Sequence, residues 1–132
     1  DATVSSIGSI TVQSASKIHI GHKIKTVIEG LSLEAGAAQG VAHGRVQHVG
    51  EVVSRLHRSA GGKIGTSASN AKPIVYRTSS DGKPDDDPDL YTGQLVEDLV
   101  NGYERSKRVY YEHDDPYPFT LLGYTAQVGT SG

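Results

Sequence analysis

The chain has 132 residues, 36% of them hydrophobic, and a formal net charge of −2, a length that suits one compact domain. Without a basic excess it is poorly equipped to neutralise phosphates along a nucleic acid, so stable DNA or RNA binding by an isolated copy is not expected. Cysteine is absent, which excludes disulfides, thiolate metal sites and cysteine nucleophiles.

No apolar stretch approaches the roughly 20 residues that a membrane helix requires, so no membrane role is expected. The chain begins on Asp1 rather than Met and is expected to be a piece of a longer product. There is no Met or Trp and one Phe, against sixteen Gly and seven Tyr. That mixture favours strands and turns over helical bundles.

Residues 1–17 read as an extended N-terminal segment in which Ser9–Val12 forms a short strand, followed by a second at Lys17–Ile20. Ile24–Leu33 has apolar spacing that fits helix or strand. Gly30 and the Thr/Val/Ile content decide for a strand. Glu34–Gly44 is rich in Gly and Ala without periodicity and predicts a loop.

Arg45–Arg58 is the longest periodic run, with Val46, His48, Val52 and Leu56 on one face, although Val49 and Val53 break the alternation. Ser59–Asn70 reads as turn-rich, and Lys72–Thr78 as a strand centred on Ile74-Val75-Tyr76 and entered through Pro73. Ser79–Pro88 is polar throughout and predicts an exposed loop. Tyr91–Val100, Lys107–His113 and Phe119–Val128 then predict three strands in a meander, joined at Asn101-Gly102 and Asp114–Pro118. The expected architecture is all-β: a sandwich or small barrel of about seven to nine mostly antiparallel strands with long polar loops. Val46, Val52, Leu56, Val109, Leu121 and Leu122 are the expected core.

The chemical motifs fail on spacing. Gly61-Gly62-Lys63-Ile64-Gly65-Thr66 lacks the Gly five positions before its Gly-Lys pair and the Ser or Thr straight after the Lys that a phosphate loop needs; His57 and Ile64 stand there. His19 and His22, and His43 and His48, lie at separations that do not predict three or four convergent metal ligands. Asp85, Asp86, Asp87 and Asp89 lack the mid-loop Gly and terminal Glu of a calcium loop and predict a solvated run without a bound cation. Glu112, Asp114 and Asp115 could pair for acid–base work, but carboxylates at a strand end usually face water. No Gly-x-Ser-x-Gly elbow places a serine nucleophile. Neither catalytic residues nor a cofactor or metal site is expected.

The most specific pattern is Leu90-Tyr91-Thr92-Gly93, then Gly102-Tyr103, then Arg108-Val109-Tyr110-Tyr111-Glu112-His113-Asp114-Asp115-Pro116-Tyr117-Pro118-Phe119-Thr120-Leu121-Leu122-Gly123. Upstream stand Gly21, Ile24-Lys25-Thr26, Gly44-Arg45-Val46, Arg55-Leu56-His57-Arg58-Ser59, Gly62-Lys63-Ile64-Gly65 and Tyr76-Arg77-Thr78. In order and spacing this series resembles the C-terminal part of tail nozzle (tail tubular) proteins of short-tailed bacteriophages. Glu112-His113 departs from the Arg/Lys-Gln that the family tends to carry, and Glu34–Gly44 is less basic than the corresponding run.

The resemblance implies a virion component of the phage tail and no enzyme. It would be a subunit of a ring, typically hexameric, that contacts tail adaptor and tail fibre proteins and lets DNA pass without specific binding. Glu34–Gly44 and Arg45–Arg58 are the expected subunit contacts. The competing reading is a β-sandwich receptor- or carbohydrate-binding module, with Tyr103, Tyr110 and Tyr111 as its stacking surface.

Overall fold

A computed structural model describes residues 14, 21–33, 36–37, 40–41, 45–76 and 89–130. Among these the fold is all-β: β1 (Thr26–Glu29), β2 (Gly36–Ala37), β3 (Gly40–Val41), β4 (Gln47–Ser59), β5 (Lys63–Gly65), β6 (Lys72–Pro73), β7 (Tyr91–Asp98), β8 (Tyr110–His113) and β9 (Leu121–Thr130). They form a four-stranded sheet in the order β1-β8-β5-β6, a three-stranded sheet in the order β7-β4-β9, and the small hairpin β2-β3. Every strand pair is antiparallel.

One apolar cluster joins the two larger sheets. Val49, Val52, Leu56 and Leu95 come from the three-stranded sheet and Ile64 and Tyr111 from the other, with Ile74, Leu99 and Val109 from the connections. Across this interface the Ser54 hydroxyl meets the Tyr111 hydroxyl at 2.7 Å.

The broken alternation of the long strand has a physical cause. Between Val49 and Val52, β4 advances three residues while β9 moves two, from Val128 to Ala126. This bulge turns the strand's phase, so Val49, Val52, Ser54 and Leu56 all face the core. A second bulge on β4, between Leu56 and Ser59 against β7, holds Arg58 at φ 44°. Its amide donates to the Thr92 hydroxyl at 2.9 Å.

Several expectations are corrected. The last three strands do not form a meander: β7 and β9 flank β4, while β8 lies in the other sheet. Periodicity identifies a strand but not its partner. The turn-rich run contains β5, with Ile64 wholly buried. Ile74–Tyr76 lies beyond the short strand β6, and the loop Glu34–Gly44 contains the hairpin in which Gly36 faces Val41. The expected strands at Ser9–Val12 and Lys17–Ile20, and the loop Ser79–Pro88, lie outside the described residues. β4 is central in its sheet, with β7 and β9 on its two edges.

Of the expected core, Val52, Leu56 and Val109 are buried, Leu121 packs against the cluster and Val46 is half-buried. Leu122 is 66% exposed. From Arg55 to Leu56, β4 moves one residue while β9 moves two, from Gly123 to Leu121, and Leu122 is the residue passed over. Leu122→Ala should therefore change stability by no more than about 0.5 kcal/mol; chemical denaturation beside Leu56→Ala, expected to cost roughly 2–5 kcal/mol, checks this.

Candidate functional site

The densest group of charged side chains lies where β8 meets β1 and β5. Lys23 and Lys25 stand two residues apart just before β1, and Glu112 and Asp114 two residues apart at the end of β8. The antiparallel register, with Val27 opposite Glu112 and Lys63 also opposite Glu112, brings these side chains together.

Lys25 Nζ reaches Glu112 at 2.9 Å, Lys63 Nζ reaches it at 3.3 Å, and the Tyr110 hydroxyl donates to it at 2.9 Å. Lys23 Nζ sits 2.9 Å from Asp114. Glu112 is only 7% exposed, so the expectation of a solvated carboxylate is corrected: pairing across two neighbouring strands covers it. Asp115, next along, accepts the Gly62 amide at 2.9 Å.

The hydrogen bond from Lys25, supported by those from Tyr110 and Lys63, draws the Glu112 carboxyl down to about 2 against an ordinary 4.5. Lys23 lowers Asp114 in the same way. In return, Asp114 raises Lys23 and Glu112 raises Lys25. Proton transfer at neutral pH needs a group poised near 7. Here the carboxylates move away from that range on the acid side and the lysines on the basic side. The arrangement suits a clasp that fastens β1 to β8, and Arg108 adds to it by meeting Glu29 at 3.1 Å.

A depressed folded-state pKa stabilises fully above the unfolded value and stops doing so as pH falls through the folded one. Stability should thus drop from pH 4.5 towards about 2. Melting temperatures measured across that window should fall less steeply for Glu112→Gln than for the wild-type chain. Equal slopes would show that Glu112 is not a source of the acid sensitivity.

The glycine run does not cradle an anion. Gly61 and Gly62 hold φ of 69° and 88°, a left-handed pair that Gly tolerates best. Their polar groups are engaged within the chain. Tyr76 donates to the Gly61 carbonyl at 2.7 Å, and the Ile74 amide to the Gly62 carbonyl at 3.0 Å. The Thr66 and Ser67 amides both donate to Asn70 Oδ1 at 2.9 Å.

The histidines are scattered. His22 and His57 are exposed, His48 lies 5.3 Å from the Tyr103 ring, and His113 stacks on Phe119 at 5.0 Å. Among the described residues no group of three His, Asp or Glu is placed to hold a metal. His19, His43, Asp85, Asp86 and Asp87 lie outside the described residues, and Asp89 is exposed.

No family model and no curated protein sequence matches the chain. Sequence reading singled out Glu112, Asp114 and Asp115 but missed Lys23, Lys25, Lys63 and Tyr110 as their partners. The available signal was the matching two-residue period of the Lys and carboxylate pairs; pairing β1 with β8 across more than 80 residues of chain was not in the sequence.

Proposed function

We propose that the chain is a structural component of a short-tailed phage virion, a subunit of the tail nozzle ring that forms the channel for genome ejection. The observation that carries this reading is the ordered motif series from Gly21 to Gly123 and its resemblance to the nozzle family. The places those motifs occupy support it. Leu56, Ile64, Tyr111 and Glu112 are buried in the two sheets, and Gly62 and Asp115 bond to each other at the corner between β5 and the turn after β8. Motif residues of this kind preserve a frame.

A net charge of −2 also suits a wall past which DNA slides, because each neutralised phosphate would retard it. The binding-module reading loses much of its basis: Tyr110 and Tyr111 are buried, which leaves Tyr103 as the exposed member of the proposed stacking surface. Electron microscopy of the source particle, with the chain marked by a specific antibody, tests the proposal. Label at the distal tail around the DNA path is expected. Label on a fibre tip, or on no part of the particle, would overturn it.

A further inference from the structure

We propose that the edge of β9 left unpaired among the described residues is an association surface, and that it is filled by β9 of a second copy running antiparallel to it. An outer strand exposes a row of backbone donors and acceptors that can template pairing, and proteins usually blunt such edges with charge, proline or side-chain caps. The four outer strands of the two larger sheets are β1, β6, β7 and β9, and they are treated very differently.

β6 carries Lys72 and Pro73, and Pro has no amide to donate. β7 ends in Glu97-Asp98, and two of its carbonyls already have side-chain donors: Lys72 Nζ on Asp98 and the Tyr91 hydroxyl, at 2.6 Å, on Gln94. β1 is four residues long, lies between Lys25 and Glu29, and is clamped by the ion pairs described above. β9 has ten residues, Leu-Leu-Gly-Tyr-Thr-Ala-Gln-Val-Gly-Thr, with no charge and no proline. Among the described residues β9 pairs with β4 alone.

The apolar layer also runs out at this edge. Leu121, Tyr124, Ala126 and Val128 sit opposite the buried Leu56, Ser54, Val52 and Val49, yet each is only half-buried. A second copy is the occupant that the chain itself favours. The edges of β1, β6 and β7 are short, capped or charged, whereas β9 meets no repulsion from itself.

The register follows from the pleat. Residues opposite each other in an antiparallel pair share a face, so the two-fold axis must pass through a residue. Centring it on Ala126 sets Tyr124 opposite Val128 of the second copy on the core face, an aromatic with a β-branched residue. The same register sets Thr125 opposite Gln127 on the outer face and Gly123 opposite Gly129. Centring on Thr125 would instead match Leu122, turned outward by the bulge, with the core-facing Val128. The result is a continuous six-stranded sheet, β7-β4-β9 followed by the same three strands in reverse.

This contact does not rest on the nozzle reading and has a different symmetry. It closes at two copies, whereas a ring needs a contact that repeats around an axis.

Thr125 and Gln127 are exposed, and the full chain has no cysteine of its own. A mixture of T125C and Q127C chains should therefore form a disulfide-linked pair on oxidation, while either variant alone should not. Sedimentation of the wild-type chain should give twice its 14.0 kDa. The double variant T125K/Q127K, which places lysines against lysines across the axis, should sediment as a monomer with an unchanged circular-dichroism spectrum. A wild-type monomer up to near-millimolar concentration, or equal cross-linking of either cysteine variant alone, would overturn the pairing. A hexamer whose size survives T125K/Q127K would overturn it too, while leaving the ring reading standing.

Discussion

Replacing Asn101 with alanine should cost about 2–4 kcal/mol, far more than a residue in a connection between strands usually commands. The bulge at Gly50-Glu51 explains why. β7 stays in register with β4 as far as Asp98 opposite Glu51, and the Leu99 amide then reaches the Gly50 carbonyl at 2.8 Å. One step further, the buried Val49 has no strand residue beside it on that edge.

The Asn101 side chain takes the place of one. Its Oδ1 accepts the Val49 amide at 3.3 Å, and its Nδ2 donates to the carbonyls of Val49 and Leu99. Alanine would leave a donor and an acceptor of Val49 unpaired, each costing about 1–3 kcal/mol when sealed from water. Asn101→Asp should also destabilise, because a carboxylate keeps the acceptor but turns a negative oxygen towards two carbonyls. Gly102→Ala is the control: a Cβ there meets nothing within 4 Å. Urea denaturation of the three variants checks the order. Asn101→Ala within about 0.5 kcal/mol of wild type would show that the stitch contributes nothing.

Asn101 also marks what the sequence could and could not show. Asn101-Gly102 reads as a tight turn between two paired strands, and a connection does begin there. It crosses from one sheet to the other, and the Asn serves a strand more than 40 residues earlier. Strand positions were legible wherever apolar residues alternate, as at Tyr91–Asp98 and Leu121–Thr130.

Partners and bulges were not legible. A bulge inserts one residue without changing composition, so Leu122 and Val49 exchanged their expected faces. β5 escaped notice because three of the four residues around Ile64 are Gly or Lys, and its burial comes from β8 beside it rather than from its own pattern. The carboxylates of the clasp could be picked out as chemistry-bearing residues. Their lysines could not, since β1 joins β8 only by non-local pairing.

Tyr111 should be the costliest single truncation in the chain, with Tyr111→Ala losing about 3–5 kcal/mol. It heads the fully buried side chains by volume and touches both sheets: it belongs to β8, its ring lies 5.8 Å from that of Tyr124 on β9, and its hydroxyl meets Ser54 on β4. Burial pushes that hydroxyl up to about 12, with the Ser54 hydrogen bond drawing it partly back, so it remains a neutral phenol under any ordinary condition.

The hydrogen bond can be separated from the ring by a double-mutant cycle. Tyr111→Phe keeps the packing but strands the Ser54 hydroxyl, and Ser54→Ala strands the phenol; each should cost about 1–3 kcal/mol, since a buried polar group without its partner bears the full desolvation penalty. Removing both leaves nothing stranded. The double variant should then be more stable than the sum of the single effects predicts, by about 0.5–3 kcal/mol. Strict additivity in urea denaturation would mean that the two hydroxyls do not depend on each other.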